Sequence, residues 1–292
     1  MNRNIELEYN KMRVKGFSDI KKKCKYDSSY IFGRDENGNT MLHYAACDGS
    51  LDVIEQLMSL GSCPFIYNNI GMTPLSNAAG CDNVSALKFL IEKSYFGLLD
   101  DDRAELMAIA ASKGKYENLE FMLNNGFNCN VCYRTDPILY WALQSAKLDI
   151  IRLLCEHGAD VNAVNDEGAA PVFDASAAGL TDILEYLINH GACVDNKTND
   201  GSTPLIIACC YNQIDVVKIL LSNKCNIEIK TNDGITALLY AIGCGNTELV
   251  QLLLNNGANR NVIDNKNKGI TVYCNRIKNK KIRNTMKEIL QI

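Results

Sequence analysis

Apolar residues along the chain fall into two alternating kinds of helical stretch. One kind is short and built around a small residue, always alanine: Ala45, Ala78, Ala110, Ala142, Ala175, Ala208 and Ala241. The other carries an apolar pair, in turn Leu57-Met58, Leu90-Ile91, Met122-Leu123, Leu154-Cys155, Leu187-Ile188, Leu220-Leu221 and Leu253-Leu254. Glycines punctuate both kinds: Gly38 and Gly71 are 33 residues apart, as are Gly168, Gly201 and Gly234 in succession, the two runs being offset by the short second and third units, and Gly61, Gly126, Gly158, Gly191 and Gly257 form a second series. A fixed period of this size marks stacked supersecondary units, and two punctuation marks per period predict two helices per unit. The alanine lets neighbouring first helices approach closely, and the apolar pairs supply the core between second helices.

The start of each first helix is written in capping chemistry. Thr40, Thr73, Thr203 and Thr236 stand where a hydroxyl can take free backbone N–H groups, and Pro74 and Pro204 occupy the first turn, where a missing N–H costs nothing. Asn199-Asp200-Gly201 and Asn232-Asp233-Gly234 read as turn tips, with glycine supplying positive φ. Gly38-Asn39-Thr40-Met41-Leu42-His43-Tyr44-Ala45-Ala46 and Gly201-Ser202-Thr203-Pro204-Leu205-Ile206-Ile207-Ala208 resemble the ankyrin pattern G-x-T-P-L-H-x-A. The resemblance implies an all-α ankyrin-repeat solenoid of helix-turn-helix units with short β-hairpin fingers. On this lattice seven repeats occupy 35–67, 68–99, 100–131, 132–164, 165–197, 198–230 and 231–263. Residues 1–34 are expected to form an N-terminal helical cap and residues 264–292 a C-terminal capping repeat, because the end of a solenoid must be covered by a polar-faced element.

The third repeat departs from the pattern. It reads Asp101-Asp102-Arg103-Ala104-Glu105-Leu106-Met107 without a turn glycine, so its finger is expected to be distorted or truncated. The fourth has Thr135 where the glycine would fall and shifts its proline to Pro137. In the N-terminal cap, helices over 3–14 and 18–25 would turn Ile5, Leu7, Met12 and Ile20 inward. At the other end, 282–291 offers Ile282, Met286, Ile289 and Leu290 at helical spacing.

Composition adds a charge map. The chain has 292 residues, 47% of them hydrophobic, and a formal net charge of −4, but residues 1–26 hold 8 Lys/Arg against 3 Asp/Glu and residues 264–292 hold 8 against 2. The region between is therefore strongly acidic and would repel a polyanion, which argues against nucleic acid as partner. No apolar run is long enough to span a membrane, and the opening Met1-Asn2-Arg3-Asn4-Ile5-Glu6 lacks a signal-like stretch. The expected setting is the cytoplasm, where the 13 cysteines would be reduced thiols.

Candidate chemistry is sparse. His43 fills the histidine slot of the ankyrin motif, which implies a ring hydrogen-bonded to backbone near a finger, and His157 and His190 precede loop glycines at helix ends. Cys129 and Cys132 form a C-x-x-C without a second half-site, so a metal is not expected. With no nucleotide, zinc or kinase motif, the expectation is a non-enzymatic, cofactor-free protein-binding module acting as a monomer. The alternative is an inhibitory or targeting subunit of an enzyme, or a delivered effector, again without catalysis of its own. The resemblance implies a groove between finger tips and inner helices. Carried over position by position, its candidate contact residues are Glu36, Asn37, Asp48, Asp102, Gln144, Asp166, Glu167, Asn199, Asp200, Tyr211, Asn232 and Asp233. The acidic members would suit a basic partner segment.

Overall fold

The computed structural model describes residues 5–14, 29–94 and 97–292. They fall into two compact bodies, Met1–Tyr133 with Arg152–Gly158, and Arg134–Ile151 with Ala159–Ile292. In the first body the inner helices Met41–Asp48, Pro74–Ala79 and Asp100–Ser112 lie side by side, each backed by the helix that follows it: Leu51–Ser59, Val84–Ser94 and Tyr116–Asn124. In the second body the inner row is Ile138–Leu143, Pro171–Ala178, Pro204–Cys210, Ala237–Cys244 and Ile270–Asn275. Its outer row is Thr181–Asn189, Ile214–Ser222, Thr247–Asn255 and Lys280–Leu290. Each body is thus a stack of two-helix repeats, the arrangement of an ankyrin solenoid.

The two sequence columns account for the packing. All seven alanines of the inner helices are 0% exposed, so each sits at a backbone approach that a longer side chain would wedge open. The first member of every apolar pair, from Leu57 to Leu253, is likewise 0% exposed, whereas Met58, Ile188, Leu221 and Leu254 are half-buried on the flank. Burying one such leucine stabilises by roughly 2 kcal/mol. Thr73, Thr203 and Thr236 accept the backbone N–H of Ser76, Ile206 and Leu239 at 3.0, 3.3 and 3.5 Å. At the first repeat His43 replaces the hydroxyl as cap. The Thr40 N–H donates to His43 Nδ1 at 3.0 Å, leaving Nε2 to donate to the Met72 carbonyl at 3.1 Å, and burial holds the ring below its ordinary pKa. The histidine therefore ties one repeat to the next finger.

The fingers are tighter than β-hairpins. Each regular one closes on two backbone bonds: the opener's N–H donates four residues on, as in Asp35 to Asn39 (3.0 Å), Asn68 to Met72 (2.8 Å), Thr198 to Ser202 (3.0 Å) and Thr231 to Ile235 (3.0 Å), and the turn glycine N–H donates back to the opener's carbonyl, as in Gly201 to Thr198 (2.8 Å). The side chain of the opening residue caps the turn, Asp35 Oδ1 accepting from the N–H groups of Asn37 and Asn39 at 2.9 and 2.8 Å. Strand geometry is confined, among the described residues, to Cys132–Tyr133 and Asp136–Pro137 and to one bridge between Ile263 and Gly269.

Several expectations need revision. The third repeat has no finger: helix Asp100–Ser112 begins directly after Leu99, and the Asp102 carboxylate accepts the Leu99 N–H at 2.9 Å. Without a glycine to reverse the chain, three consecutive aspartates favour a helix N-terminus instead. In the fourth repeat Arg134 and Thr135 take the positive φ values, 50° and 74°. Helix Ile5–Val14 is present and buries Ile5 (1% exposed), but Tyr9 (2%) is its second inward residue, while Leu7 is 49% exposed. The expected helix over 18–25 and the side chains of Met12 and Ile20 lie outside the described residues. Helix Lys280–Leu290 buries Met286 and Leu290 and leaves Ile282 exposed. Cys47 and Cys81 are joined as a disulfide, with Cα atoms 5.5 Å apart, so the thiols are not uniformly reduced.

Candidate interaction site

In the second body, three successive fingers present Asp166-Glu167, Asn199-Asp200 and Asn232-Asp233, all exposed. Their spacing is fixed by a ladder running from finger to finger. The Asn199 N–H donates to the Glu167 carbonyl (2.8 Å) and its side-chain amide to the Asp166 carbonyl (2.7 Å). Asn232 repeats this with the carbonyls of Asp200 (2.8 Å) and Asn199 (2.9 Å), and Asn265 with those of Asp233 (2.9 Å) and Asn232 (2.7 Å). The glycine before each step leaves the room: at Gly201, with φ 83°, a Cβ would stand 2.9 Å from Asn232 Oδ1. The amide donors of Asn199 and Asn232 are thus committed to the finger row.

The carboxylates differ in how they are held. Asp200 accepts from the Thr198 hydroxyl, the Ser202 N–H (3.1 Å) and the Ser202 hydroxyl (2.8 Å), and these bonds, the Thr198 one foremost, draw its pKa below the ordinary value. It is a fixed negative charge. Asp166, Glu167 and Asp233 stand exposed around it. Behind them, in the first turn of helix Pro171–Ala178, lies a carboxylate absent from the sequence-based set, Asp174. Its Oδ2 is shielded from solvent and has no hydrogen-bond partner among the described residues. Burial first, then the charges of Asp136 and Glu167, push it up to about 6. Asp136 is raised as well, mainly by burial, and Tyr140 feels both aspartates. The group concentrates carboxylates on this face of the second body. Gln144 and Tyr211, at the ends of helices Ile138–Leu143 and Pro204–Cys210, are exposed, Tyr211 to 60%.

In the first body the candidates serve the fold more than the surface. Glu36 and Asn37 are exposed, but their carbonyls hold Asn69, whose amide and N–H reach them at 2.9 Å each. Asp48 accepts from Tyr9 Oη (3.1 Å) and the Ser50 hydroxyl (2.5 Å), so helix Ile5–Val14 lies against it. Asp102 is half-buried in a helix cap and not at a finger tip. Cys129 is buried with its thiol toward the His157 carbonyl (3.3 Å), while Cys132 is exposed. The His157 and His190 rings bond the Leu153 and Tyr186 carbonyls of their own helix ends at 2.9 and 2.8 Å.

A row of alanine-centred inner helices, a second row behind it and glycine-turned fingers in front define a repeat protein whose surface is its working part. Models of ankyrin repeats match residues 20–98, 78–165 and 161–233, and a further single-repeat model matches 233–265. The chain belongs to the ankyrin-repeat family. It is also similar to the B-cell lymphoma 3 protein homolog of the mouse, Mus musculus, with 25% identity over 149 residues, covering 48% of this chain and 33% of that protein. The chain thus spans about a third of the length of the relative it matches. Ankyrin repeats are in general interaction modules and not catalysts, and both findings point to protein–protein interaction. No described helix is long and apolar enough to cross a membrane.

Proposed function

We propose that the chain binds a protein partner by a Lys- or Arg-bearing segment laid along the fingers and inner-helix ends of the body formed by 134–151 and 159–292. The observation that carries this reading is the unpartnered, shielded oxygen of Asp174, whose pKa is raised to about 6 by burial first and then by the charges of Asp136 and Glu167. An ammonium or guanidinium group placed there satisfies the oxygen and cancels the repulsion. Exposed Asp166, Glu167 and Asp233, with Asp200 held ionised, would steer such a segment in. A polyanion would be repelled by the same groups. The proposal takes the chain as a cytoplasmic monomer that acts by occupancy; the engagement of all three histidine rings in structural hydrogen bonds favours occupancy over catalysis and bears on nothing else.

The test is fluorescence anisotropy with two labelled peptides of equal length, one alternating Lys/Arg with Ser and one alternating Asp/Glu with Ser. The basic peptide is expected to bind, more weakly as salt rises, and Asp174→Asn or Glu167→Gln to weaken it by about tenfold, or ~1.4 kcal/mol. Binding should tighten between pH 5 and 7 as Asp174 ionises. Equal, salt-independent affinity for both peptides overturns the reading.

A further inference from the structure

Two pairs of cysteines in this sequence are 34 residues apart: Cys47 with Cys81, and Cys210 with Cys244. The first pair is bridged, with Cα atoms 5.5 Å apart. Its members lie twelve residues after the finger opener Asp35 and thirteen after the opener Asn68. The openers Thr198 and Thr231 close the same four-residue turns as Asp35 and Asn68, and counting twelve and thirteen residues on from them gives Cys210 and Cys244. Successive repeats in a stack are related by nearly the same small rotation and translation. The same two positions in neighbouring repeats are therefore expected at a similar separation, near the roughly 4.4–6.8 Å between Cα atoms that a disulfide requires, with the difference that Cys81 lies just past helix Pro74–Ala79 whereas Cys244 ends its helix.

Cys210 and Cys244 are the last residues of helices Pro204–Cys210 and Ala237–Cys244, which pack side by side. Both are free and exposed. Burial, followed by the charge of Cys210, raises the Cys244 thiol, which puts the two sulfurs within electrostatic reach of each other. The neighbouring Cys209 and Cys225 are buried and less accessible to an oxidant.

We propose that Cys210 and Cys244 are a disulfide-forming site that takes a small-molecule disulfide, such as glutathione disulfide, as its oxidant. One cysteine thiolate attacks a sulfur of the oxidant, forming a mixed disulfide and releasing one thiolate. The second cysteine loses its proton to solvent, and its sulfur attacks the protein sulfur of the mixed disulfide, expelling the other thiolate. Two protein thiols are oxidised, and the small disulfide is reduced to two thiols. The bridge staples two inner-helix ends beside exposed Tyr211 and couples the rigidity of that face to redox poise. This inference stands whether or not a basic partner binds there.

The experiment equilibrates the full chain in glutathione buffers of rising oxidised fraction, quenches with acid, blocks free thiols with N-ethylmaleimide and maps tryptic peptides by mass spectrometry. The expected result is a linked peptide pair containing Cys210 and Cys244, lighter by two hydrogens than the separate peptides. In Cys210→Ser, with an unchanged circular dichroism spectrum, the linked pair is lost and Cys244 carries glutathione. If both thiols stay alkylated through the range in which Cys47 and Cys81 bridge, the proposal is wrong. It is equally overturned if Cys210 pairs elsewhere, or if neither pair bridges, since the register argument then fails.

Discussion

The finger at 198–202 and the stretch at 100–104 occupy corresponding places in their repeats and end up as different structures. In the first, Thr198 caps the turn, Gly201 takes φ 83° and Asn232 of the next finger packs onto it. In the second, no glycine is available between Asp100 and Ala104, and the chain is already in helix Asp100–Ser112. Ankyrin architecture survives both, because the alanine column and the second-helix leucines are buried alike in either repeat. The core makes the repeat, and the turn decides whether it has a finger to offer.

Gly201→Val should break the first structure hardest. A β-branched residue at φ 83° facing Asn232 is expected to cost about 3 kcal/mol in urea unfolding, whereas Gly97→Ala just before the fingerless stretch should cost under about 0.5 kcal/mol, since its Cβ meets Phe65 at an ordinary 3.6 Å.

Asp174→Asn should act in the opposite direction. The folded carboxyl has a pKa raised from 3.8 to about 6, so the folded state holds the extra proton and stability falls as pH rises through that window. The variant should therefore be more stable than the parent at pH 7 by roughly 1–3 kcal/mol and indistinguishable at pH 3, as measured by thermal melts across pH. Equal stability at both pH values would mean that Asp174 is solvated.

Asn232→Ala should cost about 1 kcal/mol by removing the amide bond to the preceding finger. Its clearest sign would be faster hydrogen exchange at the backbone N–H of residues 232–235. Among the changes to hydrogen-bonding side chains the smallest effect belongs to Asp102→Ala, which should cost about 0.5–1 kcal/mol through the lost cap on Leu99. It should leave peptide affinity untouched, in contrast to Glu167→Gln.

The repeat core was legible because each column obeys one physical demand that leaves few residue choices. Ala208 can hardly be larger, and Thr203 must accept a hydrogen bond. The finger row was half legible. The glycines announced the turns, but Asn199 and Asn232 read as exposed polar residues, although together with Asn265 they keep the period of 33 residues. Their amides point back along the stack, a contact that exists only once repeats are superposed.

Asp174 escaped notice for a related reason. It falls in a column that otherwise holds aromatic, aliphatic or amide residues such as Tyr44, Asn77, Trp141, Ile207 and Tyr240, and a carboxylate is conspicuous there only after alignment of the repeats. The Cys47–Cys81 bridge was missed because the cysteines were read by compartment, and their 34-residue spacing was not considered. Asp102 was grouped with the finger tips although the third repeat's finger was expected to be distorted or truncated, and its carboxylate instead caps a helix start.

The asparagine ladder also has a mechanical meaning. From Asp166 to Asn265 each finger is fastened to its neighbour by one backbone and one side-chain bond, all placed in series along the stack and not shared across it. A load applied to the last repeat would fall on that repeat's rung together with the helix packing behind it, and when both yield the next repeat inherits the force. Under tension this body should peel repeat by repeat from its end, each event releasing a contour of about 110 Å for a 33-residue period.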